Sequence, residues 1–357
     1  MTDFSDKLIQ ILNYGSLNLA LGIGYDLKIF DAMDKAGCAL TLKELAQETQ
    51  LEARYLKEWL GIMVTGGIVD IGVSDTQEDS FFLPKSHADL LCRRAGSNNL
   101  GVYTQEIPML TACAMDAVKK GFKTGEGVPF SQFPEFQSFM SELSDAKHER
   151  VLVQKFLPSV DNGKLIERLK KGIRVCDLGC GQGVAISLMA QAFPNSSFTG
   201  IDNHEKAIDA ARETAHSKNL TNIKFLDLDA AKVTDDDTLF QYFDYICAFD
   251  AIHDQSHPLQ ALKGVLHMLK PDGLFSMIDI KASTRIDDNI EHPMAPFLYT
   301  VSLMHCMPVG LNDQGRGLGM MWGKEQALEL LAQAGFTQVS TEEIPNDAFN
   351  LHFQCRP

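Results

Sequence analysis

The residues best suited to chemistry fall in a few short segments of the second half of this 357-residue chain. The first is Val175-Cys176-Asp177-Leu178-Gly179-Cys180-Gly181-Gln182-Gly183. Glycines after a strand let the backbone turn sharply and approach a ligand with no Cβ in the way. A dinucleotide loop requires G-x-G-x-x-G/A, and counting from Gly179 and Gly181 puts Val184 where Gly or Ala belongs. Here the third glycine, Gly183, arrives one place early, and an acid, Asp177, opens the loop. A carboxylate there is a poor neighbour for a pyrophosphate and a good one for a cation.

Two more acids follow the same logic. Asp202, in Gly200-Ile201-Asp202, lies nineteen positions after Gly183, near the ~20-residue offset expected for an acid that accepts both ribose hydroxyls. Asp229, in Asp229-Ala230, follows a third strand and can accept from an adenine amino group. Any one of them could be a helix N-cap. Three at successive strand ends point to one nucleoside ligand with a cationic end. S-adenosyl-L-methionine fits, with a sulfonium, an ammonium and no phosphate.

Methyl transfer from a sulfonium is an in-line displacement that leaves a neutral thioether. An enzyme for it positions and desolvates the partners and, where the nucleophile carries a proton, removes it. His253, after the fourth strand in Phe249-Asp250-Ala251-Ile252-His253-Asp254, is placed to do so, with Asp254 next in the chain. An ordinary imidazole pKa of ~6.5 suits that task. A histidine merely hydrogen-bonded at a turn is the plainer alternative. No partner acid for His253 is evident. His253 and His257 have helical metal-ligand spacing, but Pro258 follows and no third ligand is apparent nearby, so no metal is expected. Phe297, Met304 and His305 read either as an apolar pocket wall with one polar tip or as core. The glycine-rich stretch 315–323 reads as a flap before Trp322.

These residues need a scaffold, and the second half of the chain supplies one. Apolar runs at 173–178, 197–202, 223–227, 243–249 and 273–279 alternate with helical patterns, as in βαβ units with a parallel sheet and ligands at the strands' carboxyl ends. Leu269-Lys270-Pro271-Asp272-Gly273 reads as a turn before the fifth strand. A helix over 324–334 and strands near 337–342 and 350–355 close the chain.

The first hundred residues read differently: a capped helix from Thr41 with Glu44 at capping-box spacing, a helix over 51–64, and a hairpin of 68–71 with 80–83. That order is a winged helix. It holds nine Lys/Arg against fourteen Asp/Glu, and the whole chain carries a formal charge of −15. Such acidity disfavours a nucleic-acid partner. No apolar run approaches the ~18 residues of a membrane span, and the N-terminus lacks the features of a signal peptide. Eight scattered cysteines without a CxxC pair fit a reduced, cytoplasmic protein. The expected domains are 1–100 (winged helix), 101–165 (helical connector and lid) and 166–357 (cofactor-binding).

The glycine loop with its acids resembles the cofactor motifs of class I S-adenosylmethionine-dependent methyltransferases, over about 165–357. With the winged helix, the whole chain resembles the subgroup that couples such a module to the catalytic domain. The segments 249–255 and 317–323 also resemble that subgroup. The resemblance implies an α/β fold with a seven-stranded Rossmann-like sheet whose last strand is antiparallel, behind a mostly α winged helix. It implies a small-molecule acceptor at O, N or S and dimerisation through the N-terminal module. Cofactor contacts are then expected at Asp177, Gly179, Gly181, Gly183, Asp202, Asp229, Ala230, Phe249 and Asp250, and catalytic roles at His253 and Asp254. Ile252-His253-Asp254 is similar to the His-Asp of plant small-molecule O-methyltransferases, where the histidine is the general base. The competing reading is a transcription regulator that senses the same cofactor.

Overall fold

The computed structural model describes residues 3–73, 77–134, 136, 139–140, 142–143, 148, 151–345, 347 and 349–357, with the backbone alone at 97. They divide into two compact units, Met1–Ala112 and Cys113–Pro357.

The first unit begins with a long helix, α1 (Phe4–Asp26), and a short one, α2 (Ile29–Ala36). Then come β1 (Leu40–Thr41), α3 (Leu42–Thr49), α4 (Ala53–Thr65), β2 (Asp70–Val73), β3 (Asp79–Phe82) and α5 (Lys85–Leu91). The three strands pair in the order β1-β3-β2, completing the winged helix. Thr41 caps α3 in a full capping box with Glu44, as its spacing requires. The second wing strand starts two residues later than its apolar run suggests. The amides of Ile68 and Val69 both close the end of α4 on the carbonyl of Met63, so pairing cannot begin until Asp70. Helix α4 buries Leu56, Trp59, Leu60 and Met63, and Trp59 donates its indole N–H to the Ala20 carbonyl of α1 at 2.8 Å.

The chain passes into the second unit within α6 (Glu106–Thr124). Beyond α7 (Lys164–Lys171), strands and helices alternate: β4 (Arg174–Leu178), α8 (Val184–Ala192), β5 (Ser197–Asp202), α9 (Glu205–Ser217), β6 (Ile223–Asp227), β7 (Phe243–Phe249), α10 (Pro258–Met268) and β8 (Leu269–Ile280). After α11 (Ala295–Val301), α12 (Gly323–Ala334), β9 (Gln338–Glu343) and β10 (Asn350–Arg356) complete a seven-stranded sheet of order β6-β5-β4-β7-β8-β10-β9. β10 runs antiparallel to both its neighbours, and the first five strands of that order are mutually parallel.

The strands are apolar on both faces because helices cover both. Along β7, Tyr245 and Cys247 pack with α8 and α9 while Ile246 and Ala248 pack with α10 and α12. One expectation is corrected here. Leu269-Lys270-Pro271-Asp272-Gly273 is not a turn ahead of the strand but lies within β8, whose register on β7 jumps from Phe243↔Leu269 to Tyr245↔Leu274. The extra residues are accommodated as an irregularity, where a strand tolerates proline. Lys270 anchors it by donating to Asp244 at 2.8 Å. Strand order reverses between β4 and β7, so a crevice opens at their carboxyl ends.

Candidate functional site: the carboxyl edge of the sheet

The glycine loop leaves β4 at Leu178 and folds over the end of β5. The amides of Gly179 and Cys180 both donate to the Ile201 carbonyl, at 2.8 and 3.1 Å. Gly179 has φ +72°, and a Cβ there would lie 2.4 Å from that of Ala251. Gly183 has φ +73° and would place a Cβ 2.5 Å from the Phe225 ring. Both positions therefore need glycine for backbone angle and for space.

Two of the three expected acids flank this loop. Asp202 accepts from the Gly181 amide (2.8 Å) through one oxygen and from the His204 amide (2.9 Å) through the other. Each carboxylate oxygen has a second lone pair, which leaves capacity for two hydroxyls. Burial raises the Asp202 pKa, outweighing those backbone hydrogen bonds. Asp177 is fully enclosed, and burial, opposed by a hydrogen bond from Cys247 and reinforced by Asp202, pushes its pKa up to about 7. Its partner is the Cys247 thiol at 3.7 Å, and among the described residues no lysine or arginine pairs with it. Two neighbouring buried carboxylates, neither ion-paired to a lysine or arginine among the described residues, suit a cationic ligand and repel a diphosphate.

Asp229 and Ala230 follow β6. Asp229 caps the next turn by accepting from the Ala231 amide at 2.9 Å and pairs with Lys232 at 3.2 Å. It is thus an N-cap whose side chain stays about one-third exposed. Phe249 ends β7 against the rings of His148 and Phe156. Asp250 follows it with φ +49°, a strained conformation for a non-glycine residue, held where the Asn350 side chain donates to its carboxylate.

His253 is buried two residues past Ala251. The partner acid that was not evident in sequence is Asp279, on β8, whose Oδ1 lies 2.8 Å from His253 Nδ1. Asp279 Oδ1 also accepts from the Trp322 indole at 3.0 Å and from the Ile280 amide at 2.8 Å. Trp322 thereby fixes the acid, and the acid fixes the ring with Nδ1–H inward. Nε2 points toward Asp254, 3.5 Å away. Burial alone would lower the histidine's pKa, but Asp279 and Asp254 outweigh it and raise it well above the ordinary value. That direction favours the doubly protonated ring, whose Nε2 proton must leave before Nε2 can accept another.

A second group of side chains closes around His305. Its ring stacks on Phe136 at 3.7 Å, with Phe133 and Phe130 edge-on at 4.6 and 5.9 Å. Both its nitrogens are buried without a hydrogen-bond partner, and burial lowers its pKa to about 4. Met304 is buried beside it in the chain, whereas Phe297 packs in a different cluster with Leu298, Ile280 and Met321. The stretch 315–323, read from sequence as a flap, is tied at its start, where the Arg316 amide donates to the Ser256 carbonyl and the Gly317 amide to the Gly310 carbonyl, at 2.9 and 3.0 Å. The residues missed by sequence reasoning are Asp279, Trp322 and Phe130, and Cys306, read there only as part of an apolar wall, lies beside His253. Asp279 and Trp322 stood inside segments already singled out, but only three-dimensional pairing joins them.

Residues 169–335 match the family described as a methyltransferase domain, and residues 15–93 match the Rv2258c-like winged helix-turn-helix domain. Relatives of that methyltransferase domain include sterol 24-C-methyltransferase ERG6A of Gibberella zeae, 24% identical over 228 residues, or 62% of this chain and 50% of the relative. Malonyl-[acyl-carrier protein] O-methyltransferase of a Paenibacillus species is 24% identical over 50% of this chain and 62% of its own. The chain thus spans about half to three-fifths of the length of these curated relatives. Human N-acetylserotonin methyltransferase, solved with S-adenosylmethionine, shares the fold over 99% of this chain and 98% of its own, with a TM-score of 0.70 at 16% identity. No helix among the described residues is long and apolar enough to cross a membrane.

Proposed function

We propose that this chain transfers a methyl group from S-adenosyl-L-methionine to a small-molecule acceptor. The observation that carries the reading is the pair of buried acids, Asp177 and Asp202, beside a glycine loop, neither of them ion-paired to a lysine or arginine among the described residues. When bound, the cofactor supplies an electrophilic methyl group on a sulfonium. The loop 179–183 would pass close to its methionine end, with Asp177 meeting the positive charge. Asp202 would accept from the ribose, and Asp229 and Ala230 would meet the adenine. Phe249 and Asp250 would wall the site.

His253 is the proposed general base, with Asp254 beside it. Asp279 and Trp322 act through it as positioning residues, since they fix the ring's tautomer and orientation. Met304 and His305 are proposed acceptor contacts. The neutral imidazole of His305, both nitrogens buried and unpartnered, offers one donor and one acceptor to a substrate's polar groups. Phe297, in its separate cluster, would line the outer part of the pocket.

The N-terminal unit is proposed to assemble two copies. Helix α1 turns Phe4, Leu8, Ile11, Leu12 and Leu19 outward on one face at 46–70% exposure, a stripe that costs free energy in water and is relieved by a second copy. A DNA role is not favoured. On α4, Arg54 is paired with Glu58, and the helix's buried face serves the domain core. A cytoplasmic location agrees with eight free cysteines. The domain assignment 1–100, 101–165 and 166–357 remains our division of labour, with the connector's phenylalanines closing over the acceptor.

A screen with methyl-labelled cofactor over fractionated small-molecule extracts tests this function. Label should move to a low-molecular-weight product, and His253→Gln should prevent it. Label that stays on the cofactor through every fraction, or appears on protein or DNA instead, would contradict the reading.

A further inference from the structure

Beyond the nucleoside site, three ligand-type side chains converge at one point. His253 Nε2, an Asp254 carboxylate oxygen and Cys306 Sγ lie within 4.8 Å of one another. They come from the turn after β7 and from the distorted helical turn Ser302–Cys306, so no spacing in the sequence announces them. The nitrogen and the Asp254 oxygen face each other at 3.5 Å, too far for a good hydrogen bond. That oxygen, Asp254 Oδ1, is buried and has no hydrogen-bond partner. The Cys306 thiol sits against both, hydrogen-bonded to His253 and to Asp254, so the three groups face one point.

We propose that His253, Asp254 and Cys306 bind one divalent cation of the zinc class. A mixed imidazole, carboxylate and thiolate set selects zinc over the hard cations magnesium and calcium, which take oxygen ligands. Bond lengths of about 2.0–2.3 Å to a common centre require side-chain shifts of about 1 Å from the present separations. The surroundings match those of protein zinc sites. The other imidazole nitrogen is hydrogen-bonded to Asp279, the carboxylate–histidine arrangement that orients metal-bound histidines. Trp322 and the Ile280 amide hold that carboxylate in turn. Three protein ligands leave the fourth tetrahedral position for solvent or for an acceptor's hydroxyl or thiol. Binding displaces protons from His253 and Cys306, so a metal and a proton compete for the same imidazole nitrogen. A zinc ion on Nε2 takes the lone pair that the base role of His253 needs, so the metal-loaded chain cannot use His253 as its base; the site rests on this geometry and not on the methyl-transfer reading.

The test uses the full chain, stripped with chelator and titrated with zinc against a chromophoric competitor, then with cobalt(II) as a spectroscopic substitute. One zinc per chain is expected, with cobalt giving the intense visible bands of a tetrahedral site and a thiolate charge-transfer band. Cys306→Ser should abolish the charge-transfer band. Asp254→Asn and Asp279→Asn should weaken zinc binding, the latter about 10–100-fold. Cys38→Ser, removing the exposed thiol, should change nothing. Much less than one zinc per chain, a wild-type cobalt spectrum without thiolate charge transfer, or wild-type affinity in Cys306→Ser and Asp254→Asn together would overturn the proposal. Calorimetry with S-adenosylmethionine on the same preparations separates the two readings, because cofactor binding without zinc binding sinks only this one.

Discussion

The cation-binding role of Asp177 makes cofactor affinity depend on pH in a direction that can be worked out. Burial holds this carboxyl protonated up to about pH 7 in the free protein. A sulfonium or ammonium beside it demands the ionised form, so binding must first release the proton. With a pKa of about 7, roughly 76% of Asp177 is ionised at pH 7.5 and about 3% at pH 5.5, since the ratio changes tenfold per unit. Affinity should therefore weaken about 25-fold between those conditions, or about 2 kcal/mol. The same shift has a stability consequence. An acid whose folded pKa is raised stabilises the fold only while protonated. The free protein should thus lose stability as pH rises from about 4 through about 7, and the cofactor should recover it. Isothermal titration in buffers of different ionisation enthalpy reads both the affinity and the proton released, about half a proton per cofactor at pH 7. Asp177→Asn should bind weakly at pH 7.5 and lose the pH dependence. Equal affinity at both pH values, or an undiminished pH dependence in Asp177→Asn, would refute the reasoning.

Other substitutions probe the remaining parts. Gly179→Ala puts a methyl group 2.4 Å from Ala251 at φ +72°, and a shift of the unfolding midpoint matching about 1–3 kcal/mol should accompany loss of cofactor binding. With an acceptor in hand, His253→Gln should lower turnover about 10²–10⁴-fold while calorimetry finds the cofactor affinity unchanged. Trp322→Phe frees Asp279 from its indole donor and should destabilise the fold by about 1–2 kcal/mol in denaturant titrations, with a smaller loss of turnover than His253→Gln. Leu12→Glu, on the exposed stripe of α1, should convert a dimer to a monomer in light scattering without unfolding it.

Much of this architecture is legible in the sequence, for a physical reason. Strands buried on both faces are apolar runs, and the residues of the carboxyl edge follow them at once, so the position of Asp177, Gly179, Gly183 and Asp202 at that edge is legible from local order alone. Strands Ser197–Asp202, Ile223–Asp227 and Phe243–Phe249 fall where their apolar runs end. The 269–273 segment misleads because Pro-Asp-Gly is turn chemistry, and only the pairing of Leu269 with Phe243 and of Leu274 with Tyr245, on either side of it, draws it into a strand. The His253 partner was hidden for a related reason. Asp279 is 26 positions away and Trp322 another 43, joined by strand register and helix packing that leave no periodic trace. Cys306 and Phe130 approach the site from segments with no regular pattern of their own. His305 read as a pocket wall or as core, and in the structure it lies wholly buried among phenylalanines with its nitrogens unpartnered.

The central claim is that the acidic glycine loop holds a cationic nucleoside cofactor. Its most direct test is a calorimetric titration of the chain with S-adenosylmethionine at pH 7.5, beside NADH and beside Asp202→Ala. The expected result is one saturable site per chain for S-adenosylmethionine, none for NADH, and loss of the site in Asp202→Ala with its fold intact. Saturable binding of NADH, or undiminished S-adenosylmethionine binding in Asp202→Ala, would contradict it.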